Sequence, residues 1–111
     1  VMDMLTKLEE LVLTTVIKLG NEAYAIAVYK QIVKLTGNKV AVSSVYFPLE
    51  RLVRRGFLRT FTGSPSARRG GMRKTFYRIT PEGIAALEEN RELTDRAWNG
   101  VPALIKGMNK A

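Results

Sequence analysis

Ala41-Val42-Ser43-Ser44-Val45-Tyr46-Phe47-Pro48-Leu49-Glu50-Arg51-Leu52-Val53-Arg54-Arg55-Gly56 is the stretch around which this chain of 111 residues is organised. Ser43 is a good helix N-cap, since its hydroxyl can accept a backbone N–H that the first turn leaves unpaired. Pro48 sits about a turn inside, near enough to the start for its missing N–H to cost little. Val45, Leu49, Leu52 and Val53 fall at helical spacing and face a core. Ser44, Tyr46, Phe47, Arg51, Arg54 and Arg55 occupy the other side, and Gly56 ends the helix in a left-handed cap. A short helix with one buried face and one small-polar, aromatic and arginine face has the shape of a major-groove reader. An ordinary amphipathic helix with a solvated basic side would look the same, so the flanking sequence has to decide.

Upstream, Leu5, Leu8, Leu11, Val12, Thr15, Val16 and Leu19 recur every three or four positions, which predicts an amphipathic helix over 4–19 stopped by Gly20-Asn21. Leu11-Val12-Leu13 makes it apolar nearly all round at one level. A partner helix would use that excess, and core packing alone would also absorb it. A second helix is expected from about Glu22 to Leu35, with Ala23, Ile26, Ala27 and Ile32-Val33 in register and Thr36-Gly37-Asn38 closing it. The short turn Lys39-Val40-Ala41 then leads into the helix of residues 43–55. This order makes a helix-turn-helix.

Downstream, 57–61 and 74–79 are aromatic and branched runs with partial alternation, which read as an antiparallel hairpin. Its connection, 62–73, is polar, Gly-rich and long for a compact domain. Between Arg51 and Thr80 every charged residue is basic: Arg51, Arg54, Arg55, Arg59, Arg68, Arg69, Arg73, Lys74 and Arg78. The formal net charge of +8 is therefore concentrated, and that is the footprint of a polyanionic partner. Thr80-Pro81-Glu82-Gly83 reads as a helix start, with cap, first-position proline and an acid in the first turn. The helix it opens carries the row Ile84, Leu87, Arg91, Thr94, Trp98, Val101, Ile105 and Met108. Asn99-Gly100-Val101-Pro102 should break or kink it.

The fold expected is mostly α with a small β-hairpin: a winged helix-turn-helix over 1–80 and a C-terminal dimerisation helix over 81–111. The helix of residues 43–55 would lie in the major groove of duplex DNA, with Ser43, Ser44 and Tyr46 nearest the bases and Phe47 beside them. Arg51, Arg54 and Arg55 would engage phosphates, as would Arg68, Arg69, Arg73 and Lys74 on the wing. A symmetric dimer built by Leu5, Leu8, Val12, Ile84, Leu87, Trp98, Val101 and Ile105 would match a palindrome-like site. Trp98 would also offer a flat apolar wall to an aromatic effector, or serve only as an interface anchor.

Composition excludes much else. With neither Cys nor His, the chain has no thiolate or imidazole metal site and no Cys, His or Ser-His-Asp nucleophile. Glu88, Glu89 and Glu92 lie on a polar face with no Gly-rich phosphate loop, so no enzyme, no cofactor and no metal are expected. No apolar run approaches bilayer length and the first residues lack signal-peptide character, which suggests a cytoplasmic location. The competing expectation is a winged-helix module that binds RNA or a protein, and Phe47 is the residue least at ease with DNA reading.

The chain resembles the PadR family of transcriptional regulators, in its short form with one C-terminal dimerisation helix, over about residues 5–110. The resemblance is carried by Leu19-Gly20 through Ala23-Tyr24, by Val42-Ser43 with Val45-Tyr46-Phe47-Pro48-Leu49-Glu50-Arg51-Leu52, by Gly56-Phe57-Leu58, and by Arg69 through Gly83 with its Tyr77-x-Ile79-Thr80-x-x-Gly83 exit. It implies a homodimeric repressor of bacterial genes. It further implies dimer contacts through the first and last helices and release by a small hydrophobic or phenolic effector. Ala25 departs from the glycine usual there, and Gly100-Val101-Pro102 interrupts the dimer helix.

Overall fold

A computed structural model describes residues 4–37, 40–63 and 73–110. In chain order they form α1 (Lys7–Leu19), a 3-10 turn (Gly20–Glu22), α2 (Ala25–Thr36), α3 (Ser43–Arg54), β1 (Leu58–Thr62), β2 (Thr75–Ile79), α4 (Pro81–Trp98) and α5 (Val101–Lys110). The architecture is the expected winged helix-turn-helix: three helices, an antiparallel hairpin and a C-terminal helical extension. Of the turn between α2 and α3, Asn38 and Lys39 lie outside the described residues, as does most of the wing loop.

The core forms where the apolar faces of α1, α2 and α3 meet the hairpin. Val12, Leu13, Val28, Ile32, Leu49 and Leu52 have no exposed surface. Leu13 accounts for the surplus apolar surface of α1: it packs inside the domain rather than against a partner. Val12 is corrected by the same observation, because a side chain with 0% exposure cannot form a dimer contact.

Three helix boundaries differ from expectation. Thr6 caps α1 through a reciprocal box: its Oγ1 accepts the Glu9 N–H at 3.1 Å, and Glu9 Oε1 accepts the Thr6 N–H at 2.8 Å. The start of α2 is shifted past Ala23, which has φ −85° and ψ 78°, and Tyr24, which is extended. The Ala23 carbonyl accepts the Tyr77 N–H at 2.7 Å, and Tyr24 bridges to Phe76. The segment is therefore tied to β2 by an isolated bridge at the base of the wing, and helical spacing of small residues does not reveal it. In α3, Ser43 is not the cap. Val42 already has right-handed backbone angles and its carbonyl accepts from Val45 and Tyr46, which leaves Ser43 as the first helical residue. Pro48 lies deeper than the first turn, so α3 forgoes one backbone bond there, and its buried ring packs inward instead.

The exit of α3 follows expectation. Gly56 has φ +80°, its N–H reaches the Val53 carbonyl, and the Phe57 N–H reaches Leu52. This paired closure sends the chain into β1, with Phe57 buried over the helix end. The hairpin is in register Leu58↔Ile79, Thr60↔Tyr77 and Thr62↔Thr75. At its far end Thr80 Oγ1 accepts the Gly83 N–H at 3.0 Å and donates to the Gly56 carbonyl at 2.6 Å. One hydroxyl thus fastens the start of α4 to the end of α3.

The Asn99-Gly100 interruption divides the C-terminal helix completely. Asn99 leaves helical geometry, Gly100 has φ +82°, and Pro102 falls at the second position of α5, where no N–H is needed. No residue of α5 is buried. The molecule is elongated in consequence, 62 × 32 × 20 Å.

Candidate nucleic-acid interface

The outward face of α3 follows from its period. With Val45, Leu49 and Leu52 turned to the core, Ser43, Phe47, Glu50 and Arg54 form the outward ridge, and all four are exposed. Phe47 is 63% exposed, with Tyr46 beside it at 39%. Ser44 is half-buried. Glu50 was absent from the expected set. A carboxylate on such a ridge accepts from the amino group of cytosine, so its position two turns into α3 was the available signal.

The three arginines of α3 separate into two groups. Arg54 stands free of the core on the outward ridge. Arg51 and Arg55 lean instead towards α1, where Glu9 is 1% exposed. Arg51 Nε donates to Glu9 Oε2 at 3.0 Å, and Arg55 Nη1 donates to both carboxylate oxygens at 3.1 and 3.0 Å. Arg55 also donates to the Met4 carbonyl at 3.1 Å and lies 4.8 Å from the Phe57 ring centre. The sequence placed both on phosphates; in this geometry they are paired within the domain. Burial alone would raise the Glu9 pKa, but the Thr6 N–H, Arg51 and Arg55 outweigh it and hold the carboxyl below its ordinary value. Glu9 was legible as the last member of Thr6-x-x-Glu9, a capping signature, although its arginine partners were not.

On the wing side, a cleft of about 510 Å³ opens between α3, β2 and the start of α2, lined by Tyr24, Ala25, Ile26, Tyr46, Lys74, Thr75 and Tyr77. The first turn of α2 has no side-chain cap. A helix start without a side-chain cap favours an anion at its positive dipole end. Lys74 Nζ sits 3.6 Å from the Tyr24 ring centre, at the same rim. Tyr24 packs edge-on to Phe76, and Phe76 stacks on Phe61 at 5.5 Å, which fixes the rim as one aromatic block. Beneath it, burial, together with nearby Tyr46 and Glu50, raises the Tyr77 pKa, so its phenol stays neutral. Arg73 is exposed next to Lys74, while Arg68 and Arg69 lie outside the described residues.

The expected dimer residues also separate. Leu5, Leu8 and Leu87 are partly buried against the core. Ile84, Trp98 and Ile105 are 43%, 54% and 42% exposed, and Val101 is half-buried. The sequence reading omitted Leu104, which is 65% exposed and aligns with Val101, Ile105 and Met108 at helical spacing. Among the described residues no three acidic side chains are grouped so as to hold a metal ion. Among the same residues no helix is long and apolar enough to cross a membrane.

No family model matches the chain, and no curated protein does. Solved structures do. A transcriptional regulator from Clostridium thermocellum is 24% identical, with 86% of this chain and 89% of that one covered and a TM-score of 0.68. A PadR-like transcriptional regulator from Bacillus cereus is 21% identical over 94% of this chain and 92% of its own, with a TM-score of 0.67. A PadR-family transcriptional regulator from Eggerthella lenta is 24% identical over 86% and 80%, with a TM-score of 0.66. The fold is that of the PadR-like regulators.

Proposed function

We propose that the chain is a sequence-specific regulator that binds double-stranded DNA as a homodimer and represses transcription in the cytoplasm. The observation that carries this is the joining of three features on one side of the molecule. These are an exposed α3 ridge, the uncapped start of α2, and a cationic wing base at Arg73 and Lys74. Ser43, Ser44, Tyr46 and Phe47 then meet bases or the adjoining backbone, and Arg54 meets a phosphate. Arg73 and Lys74, with Arg68 and Arg69 further along the wing, follow the backbone. The solved structures of the same fold are described as regulators, which agrees with this reading.

Fluorescence anisotropy tests it, with duplex from upstream of the protein's own gene titrated at several salt concentrations against a scrambled duplex. Preferential binding is expected, with log affinity falling by about 0.9 per phosphate for each unit of log salt. An Arg54→Ala protein should lose about one such unit per subunit. Absence of binding to any duplex at low salt would instead favour an RNA or protein partner, for which the protruding Phe47 ring is suited.

Pairing of two copies rests on the uncovered apolar stripe of α4 and α5, together with Leu5, Leu8 and Leu87 at its edge. Sedimentation should give twice the monomer mass of 12.4 kDa. Ile105→Asp, which puts a charge on the stripe without touching the buried core, should return it to 12.4 kDa. A small hydrophobic or phenolic effector would enter beside Trp98. Unchanged ligand affinity in a Trp98→Ala protein would remove that part of the reading.

A further inference from the structure

The buried carboxylate of Glu9 is more elaborately held than a helix cap requires. Capping α1 needs only the exchange with Thr6, yet both oxygens also receive guanidinium groups from α3, 42 and 46 residues away. Those two arginines sit one turn apart on the flank of α3 that borders the reading ridge. Arg51 and Arg55 keep 41% and 27% of their side-chain surface exposed, whereas Glu9 keeps 2%. The pair is therefore close enough to solvent to reach a polyanion, and it is restrained by one acid on a different helix.

We propose that Glu9 is a positioning residue that withholds Arg51 and Arg55 from DNA phosphates and so trades sequence-independent affinity for selectivity. The inference rests on the DNA-binding reading and deepens it. Phosphate contacts raise affinity for every sequence alike, while base contacts distinguish sequences. A recognition helix with three free arginines at its end would bind any duplex tightly. Engaging two of them in place leaves Arg54 for the backbone and gives the ridge of Ser43, Phe47 and Glu50 a larger share of the binding energy. The restraint also ties the pitch of α3 to α1.

The test uses the full-length protein and a mixed-sequence duplex, for which no operator need be known. Log affinity is measured against log salt for the wild type, Glu9→Gln, Arg51→Met and Glu9→Gln/Arg51→Met, each checked for a folded circular-dichroism spectrum. Release of both arginines in Glu9→Gln should steepen the slope by up to about 1.8 per subunit, at about 0.9 per phosphate. The double variant should recover about half of that change. Arg51→Met alone, which leaves Glu9 held by both Arg55 bonds, should leave the slope unaltered. A folded Glu9→Gln protein with the wild-type slope overturns the proposal, since a merely structural carboxylate would behave so. A slope reduced by about 0.9 in Arg51→Met also overturns it, by showing that Arg51 already touches phosphate. If Glu9→Gln fails to fold, the Arg51→Met measurement can still overturn the proposal. Wild-type protein that binds no duplex at low salt would overturn the DNA reading itself, and this inference with it.

Discussion

Gly83→Ala is expected to destabilise the domain by about 3 kcal/mol, the upper end of the usual cost of overpacking. A Cβ built at this position would stand 2.3 Å from the Phe57 carbonyl oxygen and 2.8 Å from the Ile79 side chain. The first neighbour decides the outcome, because it is backbone and cannot rotate away. Phe57 is fixed by the closing bond of α3 to Leu52 on one side and by the Thr80 N–H on its own carbonyl on the other. Alanine is favoured over glycine inside a helix by about 0.5–1 kcal/mol, too little to offset the clash. For a domain of this size, thermal melting should fall by roughly 10–20 °C. An unchanged melting temperature would mean that α4 can lift off Phe57 freely, and the Thr80 fastening would then have no structural weight.

Arg55→Leu is expected to cost about 3 kcal/mol at neutral pH, in the range found when one partner of a buried ion pair is removed. Glu9 would keep its burial and lose two of its three guanidinium bonds, with Arg51 left to compensate in part. The pH dependence separates this from simple loss of packing. In the wild type the Glu9 carboxyl titrates below its ordinary value, so its stabilisation is complete above the unfolded value, about 4.3, and is lost as pH falls through the lowered native one. In the variant, burial is opposed by less and the native pKa rises. The variant's deficit should therefore be largest at neutral pH and shrink towards pH 4. Urea midpoints of both proteins across pH 3.5–7 measure this. A deficit constant over that range would assign the loss to the Phe57 contact of Arg55 rather than to Glu9.

Most of the fold could be read from local sequence where local physics decides it. The core face of α3 follows from the spacing of Val45, Leu49 and Leu52. The start of α4 follows from Thr80-Pro81, and its end from Asn99-Gly100. The misplacements occurred where a distant partner or an earlier helix start decides. Ala23 and Tyr24 have helical neighbours and helix-compatible residues, but a hydrogen bond and a bridge to β2 hold them out of the helix. Ser43 has the chemistry of a cap, yet Val42 had already entered the helix. Charge was legible as an amount and a location but not as a direction. Arg51, Arg54 and Arg55 look equivalent in sequence, and only the proximity of Glu9 on α1 shows that two of them turn inward. Glu50 was overlooked for a related reason: an acid next to a basic run reads as its boundary, whereas the helical period puts it on the same ridge as Arg54.

The bond between the Leu5 N–H and the Asn90 side-chain oxygen, 3.0 Å long, joins residues 85 apart. It attaches the entry to α1 to the buried flank of α4. During synthesis the ribosome releases α1, α2, α3 and the hairpin well before Asn90, so these elements can assemble while that end of α1 is still untied. α4 thus closes the start of α1, and a nascent chain that ends between the hairpin and Asn90 would hold the helices and hairpin without this clasp.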